Sequence, residues 1–335
     1  MSTAVPGFDS PEFARRWPSI SCVKISEVSK SLKFAWDLRG ATPLPVGDWE
    51  GRRANSEKVF GAMAKRVTLP ESISMTDITV TGRHGQRIPA RIVRKAGSTS
   101  RGLMVFAHGG GLIMGSIDAN QATVARYVDQ TGIPALAVGY RLAPEHPYPA
   151  ASDDVMEAIA WAYSHAGELN IDRGHIGLVG ESSGGGIVAG VALRLRDGGE
   201  HPIACLLLVY PMLDDRTKSA GMIASRFLTW TVADNDTGWN CYLEGKAGTA
   251  DVSVYAAPAR TIELSDLPPT YIEVGTMDLF RDEDERFAKN LRAAGVEVEF
   301  HLRHGAPHGF ELITPELTAR VFKQRAEFLS RHLSA

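Results

Sequence analysis

From residue 103 onward, apolar runs too short to be helices alternate with stretches long enough to be helices. Strands are predicted at 103–107, 135–139, 176–179, 203–209, 271–274 and 296–302. Helices are predicted at 120–130, 151–165, 281–294 and 315–333, with a further one after Ser182. Strands separated by helices need crossovers rather than hairpins, so the chain is predicted to form an α/β fold. Its sheet should be mostly parallel, of about eight strands, with helices on both faces. A hairpin over 77–81 and 88–93 alternates in polarity around a Gly- and His-containing turn, and should add antiparallel strands at one edge.

Two regions break this rhythm. Between Pro211 and about Leu267, Met212, Met222, Phe227, Trp230, Trp239 and Tyr242 spread over helix-like and loop-like pieces. An insertion at the carboxyl end of a central strand lies where ligands bind in open α/β sheets, so 212–267 is expected to form part of a lid. The alternative is that these aromatics are simply the core of that layer. At the N-terminus, Ile25, Val28, Leu32, Phe34, Trp36 and Leu38 give a partly helical pattern, broken by Pro43 and Pro45, and a second helix is expected over 49–65. Residues 1–70 therefore read as a helical cap segment, and 71–335 as the catalytic domain carrying the 212–267 insertion.

Composition excludes several classes of function. A formal net charge of −3 without a dense basic stripe offers nucleic acid no electrostatic footprint. Cys22, Cys205 and Cys241 are too scattered for a disulfide framework or a metal cluster, and they fit a reducing compartment. There is no cationic segment leading into an apolar one, and no apolar run of membrane-spanning length. A cytoplasmic location and no stable membrane association are the resulting expectations.

Chemistry concentrates at four places. The first is Gly180-Glu181-Ser182-Ser183-Gly184, between the strand at 176–179 and a small-residue helical pattern. A serine hydroxyl attacks only when exposed, oriented and deprotonated, and a sharp strand-to-helix turn supplies the first two conditions. Alone, the pattern is equally a glycine-rich βα turn. The second is His108-Gly109-Gly110-Gly111, directly after a strand. Its amides can approach a substrate closely, whereas a phosphate-binding loop would require a following Lys-Ser/Thr. Gly110 and Gly111, with the Ser183 amide at a helix N-terminus, are the oxyanion candidates, and Gly109 stays open beside them. The third is Asp278, just past the 271–274 strand, with Asp282, Glu283, Asp284 and Glu285 as rivals that read as the solvated first turn of the next helix. The fourth is His308, on a Gly- and Pro-containing loop after the last strand, where a neutral imidazole can take and return a proton near pH 7. His301, His304 and His332 also follow Asp278, and His304 is separable from His308 only by geometry. Together these supply a nucleophile, an orienting acid, a base and oxyanion donors, in the order Ser, Asp, His.

With those residues in place, the chain from about Thr76 to its end resembles the hormone-sensitive-lipase-like carboxylesterases of the α/β-hydrolase fold. Tyr140-Arg141-Leu142-Ala143-Pro144-Glu145 and Pro147-Tyr148-Pro149-Ala150-Ala151 are family-like segments, expected to hold the floor of the site, with Asp153 and Asp154 capping the next helix. Asp251-Val252-Ser253, Ala256-Ala257-Pro258 and Leu267-Pro268-Pro269-Thr270 resemble bacterial esterases of the heroin-esterase type. The family commonly has Asp or Thr before the serine, Ala after it, and an aromatic after the triple glycine. Here these are Glu181, Ser183 and Leu112, and Leu112 puts inherited substrate size in doubt.

The resemblance implies hydrolysis of short- to medium-chain carboxylic esters, or of acetylated small molecules, through an acyl-enzyme on Ser182, His308 and Asp278. No cofactor and no metal is required. The partner is a small-molecule ester, and members are often homodimers. Amides and lactones use the same machinery. A ligand receptor of the gibberellin-receptor kind shares the fold but has lost a triad member, and His308 distinguishes this chain from it.

Overall fold

The computed structural model describes residues 44–64, 68–219, 228–312 and 315–334. The helical pattern expected at 25–38, together with Cys22, Met222 and Phe227, lies outside the described residues.

The central strands form from short apolar runs, and the edge hairpin from residues that partly alternate between apolar and polar. In chain order the elements are α1 (Trp49–Ala64), β1 (Ile73–Thr81), β2 (Arg87–Lys95), β3 (Leu103–Ala107), α2 (Gln121–Thr131), β4 (Ala135–Val138) and α3 (Ala150–Ser164). They continue with β5 (Ile176–Glu181), α4 (Ser183–Gly198), β6 (Cys205–Val209), α5 (Val232–Tyr242), β7 (Thr270–Gly275), α6 (Arg281–Ala293), β8 (Val298–Arg303) and α7 (Pro315–Leu333). Every residue of β3, β4, β5, β6 and β7 is buried, as befits strands covered on both faces.

The eight strands pair in the order β1-β2-β4-β3-β5-β6-β7-β8. β2 runs antiparallel to both of its neighbours, and all other pairs are parallel. The hairpin therefore reverses one strand rather than two, because β1 turns back into the common direction. Successive side chains of each strand enter two separate cores. Val105, Leu178, Leu206, Leu208 and Ile272 face α3, α4 and α6, whereas Phe106, Val179, Leu207, Val209 and Tyr271 face α2 and α7.

The chain leaves β4 and crosses to the far side of β3 to form β5. The carboxyl ends of β3 and β5 thus meet at a change of winding direction, where an α/β sheet opens a crevice. The loop after β3 and the turn after β5 are the two glycine-rich segments identified above.

The capping expectation for Asp153 and Asp154 fails. The residue preceding α3 is Pro149, with no side-chain cap. Asp154 is wholly buried and accepts from the Arg141 amide at 2.9 Å and from its Nη2 at 2.8 Å, while Asp153 accepts from Arg194 at 2.8 Å. A carboxylate one turn into the helix, facing a cation on the preceding loop, gains more from that pairing than from the helix terminus.

Candidate active site

Ser182 stands between β5 and α4 with φ 54° and ψ −122°, a conformation that strains any residue with a side chain. The turn is held from both sides. The Ser182 amide donates to Val209 O at 2.9 Å, and its carbonyl accepts from Met212 N at 3.0 Å. It can be this tight because α4 begins against β3. A Cβ at Gly184 would stand 2.1 Å from the Ala107 carbonyl oxygen, which explains the small residue there. Ser182 is 7% exposed, at the rim of the sheet.

Parallel pairing of β7 and β8 brings their following loops together. Thr276 N donates to Arg303 O and Met277 N to Ala306 O, both at 3.0 Å. Gly305 N donates to Thr276 Oγ1 at 2.9 Å. This lacing presents Asp278 and His308 side by side. His308 Nδ1 donates to Asp278 Oδ2 at 2.8 Å, and His308 Nε2 lies 2.9 Å from Ser182 Oγ. With the proton on Nδ1, Nε2 is left to accept from the serine hydroxyl. The other Asp278 oxygen accepts from Phe280 N at 3.0 Å, so the carboxylate is fixed at both ends. The ring of Tyr210 lies 4.3 Å from that of His308, and Phe280 meets His308 nearly perpendicular at 5.2 Å.

The rival residues are elsewhere. His304 is exposed, His301 pairs with Glu299, and His332 packs against Phe328 on α7. Asp282 is exposed beside Arg281, as expected of a first turn, but Glu283 and Asp284 are buried, which corrects the reading of both as solvated. Glu283 accepts from Leu213 N at 2.7 Å and from Asp214 N at 3.2 Å, anchoring the start of the insertion to α6. Burial pushes the Glu283 carboxyl up to about 8. It also raises Asp284, reinforced by the charge of Glu283.

The glycine loop is braced from beneath. His108 Nδ1 donates to Gly109 O at 2.8 Å, and the Tyr140 hydroxyl donates to His108 O at 2.7 Å. Burial lowers His108 to about 4, so its ring stays neutral in this role. Among the described residues, no backbone acceptor takes the amides of Gly109, Gly110 or Gly111. Gly111 has φ 59°, and a Cβ there would stand 2.1 Å from the Trp230 ring, so the insertion lies directly on this loop. Leu112 is buried in the core on the α3 face, and the aromatic beside the glycines comes from Trp230 instead.

The N-terminal helix and the insertion are joined. The buried Arg52 of α1 donates to Asp234 at 2.8 Å, and Asp234 closes the capping box that starts α5. Arg53 donates to Ile113 O at 2.9 Å, just beyond the glycine loop, and pairs with Glu145. Thr229, in the insertion, donates to the His308 carbonyl at 2.6 Å.

Sequence reasoning missed a buried ionic cluster behind Ser182 and His308. Arg325 of α7 is 0% exposed and donates to Glu273, to the Tyr127 hydroxyl at 3.1 Å, and lies 3.6 to 3.7 Å from Glu311 and Glu181. Glu273 also takes Arg303 and is lowered, since the two guanidinium groups outweigh its burial. Glu181, left with weaker partners, is raised to about 8 by burial and by the charge of Glu311. A signal existed: Arg325 falls on the stripe of Val321, Phe328 and Leu329, where α7 is otherwise apolar and buried.

Among the described residues no helix is long and apolar enough to cross a membrane, and no group of three His, Cys, Asp or Glu could hold a metal ion.

A family described as the alpha/beta hydrolase fold matches residues 104–312. The chain is 37% identical over 247 residues to the carboxylic ester hydrolase LipN of Mycobacterium tuberculosis, covering 71% of this chain and 64% of LipN. It is 36% identical over 210 residues to the esterase LipI of the same organism, covering 62% of this chain and 65% of LipI. The match thus spans just under two thirds of each of these relatives. Among solved structures, a bacterial heroin esterase superposes with a TM-score of 0.83 at 30% identity, covering 92% of this chain and 98% of that one.

Proposed function

Because the chain belongs to the alpha/beta hydrolase fold family, in its hormone-sensitive-lipase-like branch, we propose that it is a serine carboxylesterase. The observation that carries this reading is the unbroken chain from Ser182 Oγ to His308 Nε2 at 2.9 Å and from His308 Nδ1 to Asp278 Oδ2 at 2.8 Å.

His308 takes the Ser182 proton as Oγ attacks the ester carbonyl carbon. The carbonyl oxygen becomes an oxyanion held by the amides of Gly110, Gly111 and Ser183. Each such donor is typically worth roughly 10²–10³ in rate. His308, now imidazolium and stabilised by Asp278, protonates the departing alkoxide, leaving an acyl-Ser182. Water then attacks that acyl group, His308 again acting as base, and the acid leaves. α1 and the 212–267 insertion form the cap over this site, a reading supported by the Arg52–Asp234 and Thr229–His308 contacts. Short- to medium-chain esters or acetylated small molecules are the substrate class, in keeping with relatives named for ester hydrolysis.

Ser182→Ala is expected to abolish turnover of p-nitrophenyl acetate and butyrate and to prevent labelling by a fluorophosphonate, while EDTA leaves the wild-type rate unchanged. Near-wild-type turnover by Ser182→Ala would sink the proposal.

A further inference from the structure

Tyr210 is built in a way that packing alone does not require. It sits at the end of β6 with φ 35°, in the left-handed region that disfavours a residue with a side chain. Its amide donates to Glu273 O at 2.7 Å. Its ring is buried between His308, 4.3 Å away and tilted by 54°, and Phe310, 5.4 Å away and edge-on. Its hydroxyl donates to Glu311 Oε1 at 2.5 Å, and Glu311 lies 3.6 Å from the fully buried Arg325. A phenylalanine would fill the same space without needing a buried partner, and buried polar pairs are costly unless they are satisfied.

We propose that Tyr210 is a positioning residue for His308, whose ring, enriched in electron density by the hydroxyl bond to Glu311, stabilises the imidazolium formed as Ser182 attacks. This rests on the acyl-transfer role of Ser182 and His308 given above. A cation beside an aromatic face is attracted by the ring quadrupole, and more strongly where water is excluded. A phenol donating to a carboxylate carries more electron density in its ring, which strengthens that attraction. Glu311 is only three residues beyond His308, so the loop that carries the base also carries the anchor of its supporting ring.

Groups that face His308 are Asp278 at Nδ1 and Ser182 at Nε2, with Asp284 of α6 beyond Asp278. Behind Tyr210 stand Glu311, Glu181 and Glu273, with Arg325 of α7 and Arg303 of β8. Thr229 adds a hydrogen bond to the His308 carbonyl and no charge.

The test is a double-mutant cycle of Tyr210→Phe and Glu311→Gln, read by the pH profile of kcat/KM on p-nitrophenyl butyrate. Each single variant is expected to lower the plateau about three- to tenfold, the range a cation–π contact is worth, with KM little changed. Each should also move the acidic limb to lower pH by about half a unit, because a less stabilised imidazolium loses its proton sooner. The double variant should be no worse than the worse single, since both act through one ring. Stoichiometric fluorophosphonate labelling confirms that each variant is folded.

A plateau loss with the acidic limb unmoved would make Tyr210 a packing residue only and overturn the proposal. Additive losses would mean that Glu311 acts on His308 through space, which also overturns it. Ser182→Ala run in parallel separates the two readings. If it is inactive while the Tyr210 and Glu311 variants match wild type, only this inference fails. If it keeps turnover, the acyl-transfer reading fails and takes this inference with it.

Discussion

Asp278 shows what a single residue contributes at this site. Its Oδ2 receives Nδ1–H of His308 and its Oδ1 receives the Phe280 amide, so it can hold only one tautomer of the imidazole. Asp278→Asn keeps the shape but can present an N–H to Nδ1, moving the ring proton to Nε2, where it can no longer accept from Ser182. The expected loss in kcat is on the order of 10³–10⁴ with KM little changed, measured on p-nitrophenyl butyrate. Asp278 was legible in the sequence as a candidate because it lies just past the strand read at 271–274, within reach of the sheet's rim. His304 and His308 both follow the next strand and could be separated only by coordinates: His304 points to solvent, and His308 turns inward beneath Tyr210. Glu283 and Asp284 misled for a related reason. Acidic residues suit a helix N-terminus, but α6 starts against the insertion, so one side of its first turn, Glu283 and Asp284, is inside the protein while Asp282 is exposed.

At the scale of elements, the ends of β3, β5, β7 and β8 each present one part of the candidate site, and the loops after β7 and β8 are tied to each other. The loop after β4 illustrates the energetics. Arg141 leads from β4 toward α3, and Asp154 of α3 accepts both its amide and its guanidinium. Breaking a buried ion pair by removing one partner typically costs about 3–5 kcal/mol, less where the remaining partner can reach water. Arg141 is one-third exposed, so Asp154→Ala should cost on the order of 2 kcal/mol in urea unfolding and leave the KM for small esters nearly unchanged. The sequence placed two acids at this helix start but assigned them to capping. A cap and an ion pair have the same composition, and the direction of the side chain distinguishes them. The helical pattern at 49–65 was also legible, but its service as a brace was not. Arg52 and Arg53 reach residues 182 and 60 positions away, a pairing that local spacing cannot carry.

For the whole molecule, the buried cluster beneath the site couples the fold to pH. Three carboxyl groups, Glu181, Glu273 and Glu311, share Arg325, and Arg303 adds to Glu273 alone. Glu181 is raised to about 8, well above its value in an unfolded chain. A carboxyl raised on folding holds a proton that the unfolded chain releases, so stability falls as pH rises from about 4.5 through about 8. Glu181→Gln removes that slope. Between pH 5 and pH 8 the Tm of wild type should drop more than that of the variant, by about 2 °C or more, what ~1 kcal/mol amounts to in a chain of this size. Differential scanning calorimetry at the two pH values checks this, and equal slopes would refute it. By itself the sequence determined the α/β class and the mostly parallel sheet, and it singled out the serine, aspartate, histidine and glycine candidates. All of these follow from local periodicity and from the rule that chemistry sits at strand ends. Only the tertiary structure decided which histidine meets the serine, which acids are buried, and that Arg325 and Tyr210 underlie the site. Those facts depend on contacts between residues far apart in the chain, and burial, not composition, sets the behaviour of their charges.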